Sequence, residues 1–198
     1  MNSSFPRSVR EAQRQATRQQ LLGAALVLVA EQGFAGATTA AIAKAVGKAH
    51  GTVFVHFPTR ESLVEQLVVE IGTAISQQLL PPAAEPAVAD VLDAHLAALE
   101  GHEVLYARLL TEAASLPPAA RARVFALQSG IAYRLRQAVE REVAQGRARP
   151  LDATLLANSW IALTNHYLMH RDLFAPGGSV MTLHRAALKS WLLELLRI

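Results

Sequence analysis

The side chains best suited to molecular recognition lie together between Thr38 and Leu63, in the sequence TTAAIAKAVGKAHGTVFVHFPTRESL. Two imidazoles, His50 and His56, flank a short run that contains a glycine, a threonine and a phenylalanine. Imidazole and hydroxyl groups form hydrogen bonds with base edges and phosphates, and a glycine lets another molecule approach the backbone closely. This stretch therefore predicts a recognition surface.

Two short helices are predicted to position these groups. Thr38 or Thr39 is a suitable N-cap for the first helix, which continues until Gly47 supplies a turn that a side chain would obstruct. The second helix is predicted over about 49–56. Two short helices joined by a tight glycine turn are the helix-turn-helix arrangement, whose second helix enters the DNA major groove. The small core between them is predicted to contain Ile42, Val46 and Val53.

Longer helices are predicted on both sides. The first covers about 12–32, where apolar residues recur at steps of three and four, and Gly33 follows at the position of a C-terminal glycine cap. Thr59 caps a helix from Arg60 to about Leu80, and the prolines at 81, 82 and 86 end it. Beyond them, turn residues delimit helices near 87–100, 103–115, 118–145, 151–173 and 179–197.

These segments predict an all-α fold, since no run alternates with the period of a strand. We expect an N-terminal three-helix helix-turn-helix domain over residues 1–60, joined to the start of a linker helix over 60–80. A larger C-terminal helical domain, residues 81–198, is expected to bind an effector and to dimerise.

The charge is distributed unevenly along the chain. Residues 1–60 contain seven basic and two acidic side chains, a net charge of +5, whereas the remaining residues contain twelve basic and fourteen acidic side chains, a net charge of −2. A cationic N-terminal third on a slightly acidic body is typical of a protein that binds phosphates through one end.

The motif itself resembles a known family. The pattern A-x-A-V-G-x-x-x-G-T-V-F-x-H-F-P-T-R-E-S-L, together with A-x-x-L-V-A-E-Q-G-F-A-G-A-T-T from Ala25 to Thr39, is similar to the N-terminal domain of TetR-family repressors. The similarity covers about residues 18–70, and the C-terminal two-thirds agrees only in length, helix count and the placement of breaks. The matching residues around the first pattern are Ile42, Ala43, Gly47, Gly51, Thr52, Val53, Phe54, His56, Phe57, Arg60, Glu61 and Leu63.

The resemblance assigns roles to individual side chains. His50 would face the base edges, and Gly51 would allow close approach, while the other residues would contact the sugar-phosphate backbone and set the register. The predicted DNA-binding residues are Thr38, Thr39, Lys48, His50, Gly51, Thr52, Phe54, His56 and Arg60.

Three positions depart from the family pattern. Phe54 stands where the family usually has Tyr, so a phenolic hydrogen bond to phosphate is lost. Lys48 replaces a small apolar residue and either contacts phosphate or is a solvated turn residue. Ala49 replaces a capping Ser or Thr, which weakens the start of the recognition helix by about 1 kcal/mol.

The C-terminal domain is expected to make two further interactions. A homodimer is predicted through the helices near 151–173 and 179–197, as the family does with its last two long helices. The resemblance also implies a repressor that leaves its operator when a small effector binds, and abundant Leu, Ala and Val favour an apolar or aromatic one. The effector is predicted to contact polar residues among apolar neighbours: His102, Tyr106, Tyr133, Trp160, Asn165 and His166.

Other classes of protein are less well supported. There is no cysteine, no nucleophile elbow and no phosphate loop, so neither an enzyme nor a cofactor is predicted. A zinc sensor remains an alternative through His166 and His170, four residues apart, although a third ligand is not obvious and no metal is predicted.

An activator with the same DNA-binding domain is a further alternative to a repressor. No export signal or membrane span is recognisable, so a cytoplasmic location is expected.

Overall fold

The computed structural model describes residues 9–79 and 85–198, and within these residues the chain forms helices joined by turns and loops and contains no strand. The prediction of an all-α fold is therefore confirmed. The contacts within the chain separate two compact units, Met1–Leu67 and Val68–Ile198, and helix α4 belongs in part to each. The helices are α1 (Val9–Gly36), α2 (Thr39–Ala45), α3 (His50–His56), α4 (Arg60–Gln78), α5 (Val88–Gly101), α6 (Glu103–Thr111), α7 (Pro118–Ala144), α8 (Ala153–Met169), α9 (Arg171–Phe174) and α10 (Val180–Leu196).

In the first unit, α2 packs against both α1 and α3. Gly33 ends the regular part of α1, as predicted, because its φ of 74° and ψ of 177° are not helical. Phe34 follows and is 4% exposed. Val46, which was predicted for the small core, is only half-buried. The buried side chains of the unit include Leu22, Val29, Ile42, Val53, Phe57 and Leu63.

The second unit is a helical bundle centred on α5, α7 and α8. Its core includes Leu92, Leu96, Leu135, Val139, Trp160 and Leu192. Helix α10 packs on α5 and α8. Glu103, at the start of α6, holds the first turn of α10: its carboxylate accepts hydrogen bonds from the Ser179 hydroxyl at 2.6 Å and from the backbone N–H groups of Val180 and Met181.

The helix predicted over 151–173 is in fact broken. Helix α8 ends at Met169, and the short helix α9 begins at Arg171. The rings of Tyr167 and Phe174 stack with their centroids 4.3 Å apart. Residues seven apart on one straight helix are separated by about 10 Å along its axis, so this stacking requires the chain to bend. The segment predicted over 103–115 also divides, into α6 and a 3-10 turn at Ala113–Ser115.

Candidate nucleic-acid interface and ligand site

Gly47 makes the turn between α2 and α3. Its φ is +64°, and the backbone N–H of Lys48 donates to the carbonyl oxygen of Ala43 at 3.0 Å. Thr38 caps α2, because its side-chain oxygen accepts a hydrogen bond from the N–H of Ala41. Ala49 begins α3 without a side-chain cap, as expected from its sequence. The two helices therefore have the turn and the cap predicted from the sequence.

Helix α3 buries one residue and exposes the opposite face. Val53 is 0% exposed, whereas Phe54 is 43% and Val55 is 64% exposed. Gly51 is also exposed, and a Cβ built on it would meet nothing within 4 Å. The exposed face thus combines a flat backbone at Gly51 with apolar side chains one turn later. Such a surface can approach a groove closely and can contact thymine methyl groups.

His50 is held by its neighbours on two sides. Its Nε2 lies 2.8 Å from the Thr39 hydroxyl oxygen, and its ring lies edge-on to Phe54 with centroids 5.2 Å apart. The structure therefore brings together three of the residues predicted to contact DNA. Because Nε2 is engaged by Thr39, Nδ1 is the ring nitrogen left for another partner.

His56 lies close to two arginines of α1. Burial lowers the pKa of His56, and the positive charges of Arg14 and Arg18 lower it further. Its Nδ1 is buried and has no hydrogen-bond partner in the part of the chain that the structure describes. Arg18 also stacks over the Phe57 ring at 5.1 Å. This cluster is suited to an anion, because a phosphate would interact favourably with the two guanidinium groups.

Arg14 and Arg18 were not among the residues that we predicted from the sequence. A signal for them exists, since Arg10, Arg14 and Arg18 recur at steps of four and so lie on one face of α1. That spacing alone is also typical of a solvated helix face. The proximity to His56, which only the fold shows, distinguishes the two interpretations.

Arg60 has a positioning contact that its sequence context did not indicate. Its guanidinium donates to the carbonyl oxygens of Phe34 at 2.7 Å and Ala37 at 3.4 Å. Phe34 belongs to the last residues of α1, after the non-helical Gly33, and Ala37 precedes α2, so Arg60 connects the end of α1 to the start of α4. Lys48 is exposed in the turn, and Thr52 is half-buried on α3.

Replacing Gly47 with alanine is expected to lower the free energy of unfolding of the first unit by about 1–2 kcal/mol, because a Cβ is disfavoured at positive φ. Urea unfolding followed by circular dichroism measures this change. Gly146 is a matched control, since its φ is +67° but it lies in the second unit. Both alanine variants should lose stability, and only the Gly47 variant should also weaken DNA binding. Unchanged stability of the Gly47 variant would contradict this account of the turn.

Comparison with known proteins agrees with this geometry. The description "Bacterial regulatory proteins, tetR family" matches residues 21–67, which include α2, α3 and the turn between them. The HTH-type transcriptional repressor AcnR of Corynebacterium diphtheriae is 30% identical over 139 residues, which cover 68% of this chain and 71% of that protein. The chain belongs to the TetR family.

Solved structures of transcriptional regulators share the fold over about nine-tenths of the chain. A TetR-family transcriptional regulator from Agrobacterium tumefaciens superposes with a TM-score of 0.74 at 22% identity, covering 93% of this chain and 100% of that one. The regulator FadR from Bacillus subtilis, solved in complex with stearoyl-CoA, gives a TM-score of 0.71 at 17% identity and covers 90% of this chain and 99% of that one. The likeness therefore extends beyond the N-terminal motif to the C-terminal helices.

Membership of the TetR family establishes the general activity. Proteins of this family are DNA-binding transcriptional regulators and not enzymes, and they bind operator DNA and effectors and dimerise. Within residues 9–79 and 85–198, no helix is long and apolar enough to cross a membrane.

In this TetR-family chain, the six residues predicted to contact an effector are dispersed through the second unit. Tyr106 and Trp160 are almost fully buried, and burial raises the pKa of Tyr106 to about 12. His102 is half-buried at the junction of α5 and α6, and burial lowers its pKa. The other three are less enclosed, because Asn165 is half-buried while Tyr133 and His166 are exposed. The structure does not bring the six together into one cavity.

A buried polar pair lies at the centre of the second unit. The Trp160 indole N–H donates to Nδ1 of His95 at 2.8 Å, and His95 is 1% exposed. Burial lowers the pKa of His95 to about 3, so the imidazole is neutral at physiological pH. Sequence reasoning missed His95, since a lone histidine on an apolar helix face gives no signal of its partner.

The neutral His95 makes stability depend on pH. The unfolded chain binds a proton near pH 6.5 whereas the folded chain does so only near pH 3, so stability is lost as the pH falls from 6.5. The unfolding free energy of the native protein should therefore fall more steeply than that of His95→Gln, by about 1.4 kcal/mol per pH unit between pH 6 and 4. Urea titrations at several pH values measure both slopes. Equal slopes would show that His95 is protonated in the folded protein.

The second unit also contains a sizeable cavity. It has a volume of about 540 Å³ and lies between the second half of α4 and the middle of α7. None of the six predicted residues lines it, whereas Tyr133 lines a smaller hollow of about 220 Å³ between α7 and α8. Sequence reasoning missed the larger cavity, because it is formed by two helices whose lining residues are at least 46 positions apart in the chain.

The histidines considered for zinc lie in an aromatic cluster. The rings of His166 and His170 have centroids 4.7 Å apart, and Phe174 packs against His166. Among the residues described, no group of three His, Cys, Asp or Glu side chains is arranged to hold a metal ion. The contacts observed for this pair are aromatic packing contacts.

Proposed function

We propose that this protein is a homodimeric repressor that binds an operator through α3 and leaves it when a small effector binds. The observation that carries the proposal is the exposed face of α3, where His50, Gly51 and Phe54 face outward from a buried Val53. The name of the Corynebacterium diphtheriae relative, a transcriptional repressor, supports repression rather than activation.

The proposed DNA contacts divide into two kinds. His50 contacts base edges, and Gly51 allows the helix backbone to come close to them. Thr39 holds His50 at 2.8 Å and so orients its ring. Contacts to the sugar-phosphate backbone set the register and are proposed for Thr38, Lys48, Thr52, Phe54, His56 and Arg60, with Arg14 and Arg18 added from the structure.

Dimerisation is proposed through α8 and α10, near the predicted ranges 151–173 and 179–197. Large apolar side chains are exposed on these helices in the single chain: Leu155 by 65%, Met169 by 44%, Leu183 by 64% and Trp191 by 45%. Burying them against a second copy removes this apolar surface from water. A two-fold dimer also presents two copies of α3 to successive major grooves.

The functions that we propose for the two parts of the chain follow the sequence prediction. Residues 1–60, with the first turns of α4, bind DNA, and residues 81–198, with the second half of α4, bind the effector and dimerise. Helix α4 is continuous from Arg60 to Gln78, so a displacement of its second half by a ligand also displaces its first turns. The stearoyl-CoA complex of FadR supports a ligand-responsive second unit. A regulator of bacterial DNA works in the cytoplasm, where we place this protein.

Selection of binding sites from a random duplex library tests the proposal. The expected result is a pseudo-palindrome whose half-sites are about one helical turn apart, bound with an affinity that falls steeply with salt. Sedimentation should give a dimer, and a reporter placed behind the selected site should be silenced by the protein. A monomer without a selected sequence would refute the DNA-binding proposal, and activation of the reporter would refute repression.

A further inference from the structure

The cavity between α4 and α7 has walls of two different kinds. Its apolar surface comes from Val68, Val69, Ala126 and Leu127, and its charged groups are the guanidiniums of Arg123 and Arg134. Among the residues that the structure describes, no acidic side chain lines the cavity. All of these residues belong to the unit Val68–Ile198, so the cavity lies within one compact body.

We infer that this cavity binds an amphipathic anion, an apolar or aromatic body that carries one carboxylate-like group. The inference rests on the proposed function, because it names the chemical class of the effector. The volume of about 540 Å³ falls within the range of about 300–1,000 Å³ that is usual for small-molecule sites.

Arg123 is the principal anion-binding group. Its side chain is exposed at the cavity, and within residues 9–79 and 85–198 it has no hydrogen bond or ion pair. Arginine presents a planar fork of N–H donors that matches the two oxygens of a carboxylate. A single anionic group cannot reach both arginines, because eleven residues of α7 span about 16 Å.

Arg134 connects the cavity with the end of α4. Its Nη1 donates to the carbonyl oxygen of Leu79 at 2.7 Å, one residue after α4 ends. This guanidinium is already bonded to the chain, so the single anionic group of the ligand is left to Arg123. The body of the ligand contacts Val68, Val69 and Gly72 and so acts on the helix that begins in the DNA-binding unit.

The apolar part of the ligand has room over α4. Gly72 lines the cavity, and a Cβ built on it would meet nothing within 4 Å. The apolar side chains of both helices are then covered by the body of the ligand, which removes them from water. A small inorganic anion would leave this surface uncovered, so we assign the amphipathic class.

Two fluorescent dyes with the same aromatic skeleton test the inference. 8-Anilinonaphthalene-1-sulfonate carries a sulfonate, and N-phenyl-1-naphthylamine lacks it. The full-length native protein should bind the sulfonate tightly and the neutral dye more weakly by about tenfold. Decanoate should displace the sulfonate, whereas 1-decanol should do so only at about tenfold higher concentration. Equal affinity for the two dyes would overturn the inference.

Three variants locate the binding site. Arg123→Gln should weaken sulfonate binding by about tenfold and change neutral-dye binding less than about twofold. Arg121→Gln is the matched control, since it removes the same charge from α7 outside the cavity lining and should change neither. Gly72→Leu fills the cavity and should weaken both dyes. Unchanged sulfonate binding by either Arg123→Gln or Gly72→Leu would show that the dye binds elsewhere and would overturn the inference.

Measurements of operator affinity distinguish a failure of this inference from a failure of the proposed function. Decanoate should weaken the affinity of the native protein for the selected operator and should have less effect on Arg123→Gln. If decanoate binds in the cavity as described but leaves operator affinity unchanged, the ligand class stands and the release model fails. If no operator is selected while the dye results hold, only the DNA-binding proposal fails.

Discussion

Glu103→Ala is expected to lower the free energy of unfolding of the second unit by about 3–5 kcal/mol, because a buried carboxylate would be removed from the groups that it binds. Glu103 is 5% exposed and accepts hydrogen bonds from three donors at the start of α10. Arg171 lies 3.6 Å from the same carboxylate. The variant would leave the buried backbone N–H groups of Val180 and Met181 and the half-buried guanidinium of Arg171 without their partner.

Glu100→Ala is the matched control for this prediction. Glu100 lies one turn earlier and pairs with Arg185 and Thr182 of the same helix α10, but its side chain is 33% exposed. Its removal should cost less than about 1 kcal/mol, because water screens a pair at the surface. Both tryptophans, Trp160 and Trp191, lie in the second unit, so urea unfolding followed by fluorescence reports on that unit. Equal losses from the two variants would refute the special role of Glu103.

The position of Glu103 also bears on assembly. Glu103 fixes the first turn of α10. The same helix carries Leu183 and Trp191, which are exposed and belong to the proposed dimer surface. Loosening that turn should raise the dissociation constant of the dimer. Stability comparisons between the variants therefore need one fixed protein concentration, because a dimer gains stability by mass action.

The features that local sequence determines were predictable. Gly47 needs a positive φ, Thr38 caps α2, and Ala49 leaves α3 uncapped, and each of these depends on residues within four positions of one another. The same holds for Gly33 at the end of α1. Periodicity and capping act over one or two turns, so the first unit could be predicted almost element by element.

The features that depend on distant contacts could not be predicted. The break after Met169 accompanies the stacking of Tyr167 on Phe174. The sequence over 167–174 contains no glycine or proline that would indicate a break. The hydrogen bond from Arg60 to the Phe34 carbonyl joins residues twenty-six positions apart in the chain. The hydrogen bond between Trp160 and His95 joins residues sixty-five positions apart. Side chains of these types have many alternative partners, and only the tertiary fold selects one.

The candidate ligand site illustrates the same limit. We expected polar side chains set among apolar neighbours to indicate an effector site. Such side chains also form hydrogen bonds with one another within protein cores, as Trp160 does with His95. The cavity instead lies beside Arg123 and Arg134, which in the sequence resemble solvated positions of a long surface helix. Charge and periodicity cannot distinguish a rim of a cavity from an open helix face.

Gly51→Leu is expected to weaken operator binding by about a hundredfold or more while leaving the fold intact. Gly51 is exposed in the first turn of α3, its φ is not positive, and a Cβ there meets nothing within 4 Å. Leucine is therefore compatible with the structure, and replacing a helical glycine should raise stability by about 0.5–1 kcal/mol. In the complex, however, the leucine side chain would occupy the space between α3 and the bases.

Gly130→Leu is the control for this last prediction. Gly130 is an exposed glycine within helix α7, and a Cβ there also meets nothing within 4 Å, but it lies in the second unit. Both variants should unfold at the same or higher urea concentration than the native protein, and only Gly51→Leu should lose the selected operator in a band-shift titration at fixed salt. If Gly51→Leu is at least as stable as the native protein but binds the operator more weakly, Gly51 acts in DNA recognition and not in folding. Native affinity in the Gly51 variant would show that another surface faces the DNA, because leucine and a base edge cannot fill the same volume.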